Sequence, residues 1–323
     1  MNDATDWRPA ADLETLRWRA QRIAGIRAFF AERGVWEVET PMLSRAAATD
    51  PALHSLRSEV AVPAPHHRYW HTSPEFPMKR LLAAGSGPIY QICRVFRDGE
   101  LGRLHSPEFT LLEWYRPGFD EHALMDEVAG LLGAVLGRTV RDERITYRDA
   151  FLRHAGLDPM TADPAHCRRC CLDRGICPDP GATGDRDFWL DLLMSHVVGP
   201  ALGRGEPCFV FDYPPSQAAL ARIRPGPPAV AARFELYLNG VELANGFHEL
   251  TDPAEQAGRF RAELARRRQL GLALPPVDER LLAAMQAGLP DCSGVAVGVD
   301  RLLMVVAGVA RLERVLPFAF DRS

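Results

Sequence analysis

The stretch FRDGELGRLHSPEFTLLEWY, residues 96–115, constrains the fold more than any other part of the chain. Two apolar arms flank a short, charged, glycine-broken turn, so the backbone must double back as an antiparallel hairpin. Arg97 stands at the base of that hairpin in an apolar frame. A guanidinium keeps its charge when partly buried and offers a planar fork to phosphate or carboxylate. An antiparallel sheet carrying a fixed cation is therefore expected, with an anionic ligand as its natural occupant.

The flanking sequence extends this frame. Residues 13–33 read as an amphipathic helix, with Leu13, Leu16, Ile23, Ile26, Phe29 and Phe30 on one face and Gly34 in the C′ position. Residues 35–40 alternate as a strand that Pro41 stops. Residues 69–72 predict a strand, 76–84 a short helix, 89–93 the strand entering the hairpin, and 120–136 a further helix. Residues 160–206 are rich in Gly and Pro and read as an irregular insertion between halves of the sheet. Residues 208–213 return as a strand. Residues 234–238 and 241–243 pair around Asn239-Gly240, a strong turn signal. Asp252-Pro253-Ala254-Glu255 supplies an N-cap, an N1 proline and an N3 glutamate for the next helix. Residues 294–299 form a glycine-punctuated strand that feeds a helix over 300–309. Hairpins dominate and helices do not alternate regularly with strands, which predicts an α+β fold with a mostly antiparallel sheet.

Charge and cysteine usage narrow the function classes. The net charge of −4 argues against a mainly electrostatic nucleic-acid binder. Seven cysteines, an odd number in a long chain, fit reduced thiols in the cytoplasm. Cys167-x-x-Cys170 matches one half of a zinc site, but no second pair follows Cys170, Cys171 and Cys177, so free thiols are the preferred reading. The first residues show no basic segment followed by an apolar core, and the apolar run 295–310 is broken by Asp300-Arg301. Buried core, not a membrane span, is expected there. The run Arg259, Arg261, Arg266, Arg267 and Arg268 reads as a solvated basic helix face, with docking of an acidic protein as the alternative.

Two further segments carry candidate chemistry. In FELYLNGVELANGFHELTD, residues 234–252, Glu235 and Glu242 lie on the two arms of a hairpin. Such a pair beside an arginine-held polyphosphate suits Mg²⁺, a hard ion that takes carboxylate and phosphate oxygens. Glu242, Asn245 and Glu249 are spaced to line one pocket. In GVAVGVDRLLMVV, residues 294–306, Gly294, Ala296 and Gly298 leave room against a strand, and Arg301 on the following helical turn suits a terminal phosphate. Each alone reads as well as a solvated acidic edge or a buried helix start.

Together, and in this order, the three segments resemble the motifs of class II aminoacyl-tRNA synthetases of the lysyl type. HSPEFTLLEWYRP and ANGFHELTD, with the chain's length and no preceding anticodon-reading OB-fold domain, resemble the elongation factor P–(R)-β-lysine ligase family. The resemblance covers residues from about Leu13 onward as a single catalytic domain and implies a homodimer through the first helix–strand unit. It implies an ATP- and Mg²⁺-dependent ligase that activates (R)-β-lysine or lysine as an adenylate and passes it to a lysine of elongation factor P. Residue roles follow from it. Arg97 bridges α-phosphate and carboxylate, and Arg301, over Gly298, meets the γ-phosphate. Asp98, Gly99, His105, Ser106 and Phe109 meet the nucleotide. Glu235 and Glu242 hold Mg²⁺, with Leu243 beside them. Glu75, after Ser73-Pro74, receives the substrate ammonium. Tyr115, Asn245, Phe247 and Glu249 shape the side-chain end, Glu249 pairing the distal amine. Three positions depart from the family pattern: Gly99 for Glu, Ser106 for Asn and Ala296 for Gly. Gly99 has no carboxylate to offer the nucleotide, so that contact is either lost or supplied by Asp98 or Glu100. The Ala296 methyl narrows the pocket floor in favour of a β-amine. The alternatives are a short synthetase-like enzyme acting on tRNA or a small molecule, and a non-catalytic amino-acid sensor.

Overall fold

A computed structural model describes residues 7–62, 66–176 and 184–322. In chain order its elements are α1 (Leu13–Ala31), β1 (Trp36–Glu37), β2 (Leu43–Ser44), β3 (Arg57–Val60), β4 (His66–Trp70), α2 (Glu75–Ala83), β5 (Ile89–Phe96), β6 (Glu108–Pro117) and α3 (Glu121–Leu136). There follow β7 (Glu143–Thr146), α4 (Tyr147–Ala155), α5 (Pro164–Leu172), α6 (Arg186–Leu193), the single turn α7 (Gly199–Ala201), β8 (Cys208–Tyr213), β9 (Ile223–Arg224), β10 (Val230–Leu238) and β11 (Val241–His248). The chain closes with α8 (Pro253–Gln269), α9 (Glu279–Gly288), β12 (Cys292–Gly298) and α10 (Val299–Val306).

The main sheet runs β1-β5-β6-β12-β11-β10-β8-β7, with β9 on β10. Pairing is antiparallel throughout its middle, and only the outer pairs β1–β5 and β7–β8 are parallel. This is the expected α+β sheet, with the arginine hairpin β5–β6 second and third from the β1 edge. Alternation decides its two faces. Leu112, Trp114, Val295, Val297 and Leu236 point to a core closed by Ile26 and Phe30 of α1, Leu124 and Val128 of α3, and Leu302 and Leu303 of α10. The opposite face of β6, β11 and β12 is left for the site.

Several local expectations shift. α1 ends at Ala31 with Glu32 as its C-cap, so Gly34 (φ +65°) lies one position beyond C′. Leu13 is exposed, and Arg19 is buried on the inner face of α1 in its place. Glu255 completes no reciprocal capping box: Asp252 accepts from the Ala254 and Glu255 amides, while Glu255 pairs with Arg259.

The largest correction concerns residues 160–206, whose described parts, 160–176 and 184–206, are mostly helical. Asp163 and Asp185 N-cap α5 and α6, and a five-residue π-helix (Met194–Val198) continues α6. Cys167, Cys170 and Cys171 enter a core with Trp189, Leu190 and Phe151 over β8. Burial pushes the Cys167 and Cys171 thiols up to about 11. Cys177 lies outside the described residues. Among the described residues, Pro164 opens α5 and Gly175 follows its end.

One buried ion pair ties the layers together. Arg19 Nη1 of α1 lies 2.7 Å from Asp300 Oδ1 of α10. The other Asp300 oxygen accepts the Thr110 amide of β6 at 2.8 Å, and Arg19 Nη2 donates to Thr110 Oγ1 at 3.1 Å. Removing one partner leaves a buried charge uncompensated. Arg19→Met is expected to cost about 3–5 kcal/mol, measured as a fall in urea midpoint, and Arg19→Met/Asp300→Asn is expected to cost less than Arg19→Met alone.

Candidate active site

Two cavities lie side by side on the open face of the sheet. The larger, about 570 Å³, is lined by Ser73, Glu75, Glu113, Tyr115, Phe247 and Glu249 among others. The smaller, about 130 Å³, is lined by His105, Ser106, Phe109, Glu242, Leu243, Gly298 and Arg301 among others. Arg97, Asn245 and Ala296 line both. Arg97 therefore stands at the junction, where one guanidinium can hold a group in each chamber.

The hairpin fixes Arg97 from the backbone outward. Its amide donates to Pro107 O at 2.9 Å, closing the turn, and its Nε donates to Thr72 O at 3.4 Å. The guanidinium carbon lies 5.1 Å from the Phe109 ring centroid. Gly99 adopts φ +81°, a conformation that a glutamate reaches only with strain. Asp98 and Gly99 lie outside both described linings. Glu100 does line the smaller cavity and faces Arg97 at 3.7 Å. The turn shifts the carboxylate one residue along.

At the far wall of the smaller cavity, Arg301 Nε donates to Leu104 O at 3.0 Å and Nη1 lies 3.7 Å from a Glu242 oxygen. Burial, followed by the Arg301 charge, pulls the His105 pKa down, favouring a neutral ring. Two arginines converge here, each with one carboxylate at 3.7 Å. The Glu242 pKa is raised by burial and by neighbouring Glu235. A divalent cation would relieve that repulsion, so the donor chemistry fits Mg²⁺ with phosphate oxygens completing its shell. Of the two glutamates, Glu242 lines the cavity. Glu235 lies outside both described linings, its oxygens engaged by Arg233 at 2.5 Å and Tyr237 at 2.7 Å, so it faces the site from behind that pair.

The larger cavity holds a charge imbalance. Lys79, 2% exposed, lies 2.6 Å from both Glu75 and Glu249. Burial opposes its charge, but Glu249 and Glu75 outweigh that and raise its pKa above the usual value. Glu113, also buried, accepts from Ser73 Oγ at 2.5 Å and Tyr115 OH at 2.7 Å. Three carboxylates thus share one ammonium. Burial and the Glu75 charge push Glu113 up to about 7, against the Ser73 and Tyr115 hydrogen bonds. Such a pocket favours a ligand that brings positive charge. Gly294 keeps this floor tight: a Cβ there would meet the Tyr115 ring at 2.3 Å and Glu249 at 2.6 Å.

Lys79 and Glu113 were missed from sequence. Lys79 sits on α2 one turn after Glu75, and Glu113 interrupts the apolar run of β6. A charge inside a buried strand was the available signal. Pro74 turns the chain at the N-cap of α2 and lies outside both linings. Asn245 is oriented by Arg233, whose Nε donates to its Oδ1 at 3.1 Å, leaving its amide nitrogen as the donor toward the cavities. Of the arginine run on α8, Arg259 and Arg267 are tied to backbone carbonyls and Arg266 to Asp185, so most of that face is structural rather than a docking surface.

A mostly antiparallel sheet carrying an arginine hairpin and a strand–helix arginine over adjoining chambers is the architecture of a class II synthetase core. The family model for class II tRNA synthetases (D, K and N) matches residues 2–322. The elongation factor P–(R)-β-lysine ligase of Vibrio cholerae is 49% identical over 322 residues, covering 99% of each chain. Those of Salmonella typhi and Edwardsiella ictaluri are each 47% identical and cover each chain fully. The chain belongs to the elongation factor P–(R)-β-lysine ligase family within the class II synthetases.

With Glu113 near 7, its carboxylate is protonated below that pH and charged above it. Burial raises Glu249 beside it to about 8, so affinity for a cationic amino acid is expected to be full above pH 8 and to weaken as pH falls through 8 and 7. Titration calorimetry between pH 6 and pH 9 checks this; Glu113→Gln should bind weakly and keep only the Glu249 part of the dependence.

Proposed function

We propose that this protein is an ATP-dependent ligase that activates (R)-β-lysine as an aminoacyl-adenylate and transfers it to a lysine of elongation factor P. The carrying observation is the junction at Arg97: a carboxylate-rich chamber for a diamine on one side, and a chamber with Arg301 and Glu242 on the other. The family membership supports the same reading.

The residues divide the work by charge. The ammonium groups of the amino acid lie among Glu75, Glu113 and Glu249, beneath Phe247. Its carboxylate lies against Arg97 and the Asn245 amide. Arg97 also holds the α-phosphate of ATP, with Arg301 on the terminal phosphate and Phe109 against the adenine. A carboxylate oxygen attacks the α-phosphorus and pyrophosphate leaves in line, so positioning and fixed charge carry most of the rate. Mg²⁺, when bound by Glu242 with Glu235 behind it, neutralises phosphate charge. No side-chain nucleophile is needed. The adenylate carbonyl is then attacked by the acceptor amine, giving an amide and AMP.

Amino-acid-dependent pyrophosphate exchange with lysine isomers, followed by transfer to elongation factor P or bulk tRNA, tests this. Exchange with β-lysine and labelling of the factor are expected. Labelling of tRNA alone would sink the protein-ligase reading, and no exchange with any amino acid would indicate a sensor. Arg97→Lys keeps the charge but loses the fork, and a drop of roughly 10²-fold in kcat/KM is expected when such a transition-state interaction is removed.

Ala296 lies across β12 between Asn245 of β11 and Glu113 of β6. Its methyl sits between the carboxylate end and the amine end of the chamber. Ala296→Gly is expected to raise kcat/KM for α-lysine relative to β-lysine, and an unchanged ratio in the exchange assay would refute that role. Exposed Trp36, Met42 and Leu43 around β1 and β2 suit a homodimer contact. No helix among the described residues is long and apolar enough to cross a membrane, and a cytoplasmic place beside its protein substrate fits this reading.

A further inference from the structure

Alternation along β10 puts Arg233 and Glu235 on one face of the sheet, and the register sets Asn245 of β11 opposite Glu235. The same row continues through Ala296 of β12 to Glu113 of β6, so Arg233 flanks the floor of the site from the β10 side. Its guanidinium uses all three nitrogens. Nε donates to Asn245 Oδ1 at 3.1 Å, Nη1 to Gln217 O at 2.8 Å and Nη2 to Glu235 Oε1 at 2.5 Å. The guanidinium carbon lies 4.3 Å from the Tyr213 ring centroid. A planar fork held at three points and against a ring has one orientation. Arg233 itself lines neither described cavity, whereas Asn245 lines both. Arg233 therefore acts on a ligand through the residues it holds.

We propose that Arg233 is a positioning residue for carboxylate selection: it fixes the Asn245 amide so that the chamber takes a diamino acid in preference to the diamine that lacks the carboxylate. This rests on the amino-acid site proposed above. The two ends of an asparagine amide are alike in size and opposite in hydrogen-bond sense. With its oxygen toward the ligand, Asn245 repels a carboxylate; with its nitrogen there, it donates to one. A guanidinium carries donors only, so the end that meets Nε is the oxygen. The nitrogen is left for the ligand. The rest of the chamber makes this choice matter. Glu75, Glu113 and Glu249 attract any diamine, including one with no carboxylate to activate. Arg97 is shared with the phosphate side, whereas the Asn245 donor, set by Arg233, answers to the carboxylate alone.

The test compares β-lysine with the diamine that lacks its carboxylate, by titration calorimetry on the whole chain without nucleotide. The wild type is expected to bind β-lysine more tightly. Arg233→Lys keeps a charge for Glu235 but loses the fork. In that variant the preference is expected to shrink by roughly 10-fold or more, the scale of one hydrogen bond to a charged group, while the Kd of the diamine stays as in the wild type. Asn245→Ala should lose the same preference, and Arg233→Lys added to it should lose no more. Asn245→Asp presents an oxygen to the ligand whichever way it turns; it should lose the preference too, and it serves if the Lys variant fails to fold. An unchanged preference in Arg233→Lys or Asn245→Asp, equal weakening of both ligands, or additive losses in the double variant would each overturn the proposal. These outcomes, with a wild type that prefers β-lysine, sink the Arg233 role alone, whereas a wild type that binds the diamine as well as β-lysine sinks the amino-acid reading with it.

Discussion

The Arg19–Asp300 pair holds the site in place. It joins the first helix, the returning strand of the arginine hairpin and the helix that carries Arg301. Asp300 and Arg301 are adjacent, so the residue that anchors α10 sets the direction of the cation beside it. Thr110, which receives Asp300 through its amide, follows Phe109 in β6. A buried pair of this kind adds little net stability over apolar packing, but breaking it is costly. Its role here is registry: three segments far apart in sequence meet in one arrangement.

A second electrostatic layer lies across the sheet. Lys79 holds Glu75 and Glu249 together in the absence of ligand, and Ser73 and Tyr115 hold Glu113. The pocket is preorganised for positive charge but not neutralised, because one ammonium faces three carboxylates. A diamine fits that deficit better than a monoamine of the same length. At the smaller cavity Arg97 faces Glu100 and Arg301 faces Glu242, so the two guanidiniums are held in place by carboxylates at 3.7 Å while still open to phosphate oxygens.

Much of the frame was legible along the chain. The β5–β6 hairpin, the Asn239-Gly240 turn and the β12–α10 junction are local features, written in alternation and turn residues. Arg97, Glu242, Asn245, Glu249 and Arg301 were legible because each sits in a short segment of recognisable spacing. Residues 160–206 were misread because their helices are short and polar on one face, and they gain stability from packing over β8 rather than from propensity. A left-handed turn at Gly99 sends Glu100 into the smaller cavity, and spacing alone does not show which way a turn points its side chains.

The antiparallel sheet, the two arginines and the supply of carboxylates follow from the order of residues along the chain, since all three depend on nearest neighbours and residue chemistry. How charge is shared among them follows from the way the layers pack. Lys79 between two glutamates, Glu235 behind Arg233 and Tyr237, and Glu263 under Thr49 are contacts between side chains whose meeting no local spacing foretells. Burial and pairing set the protonation of a carboxylate, and both exist only once the layers have closed.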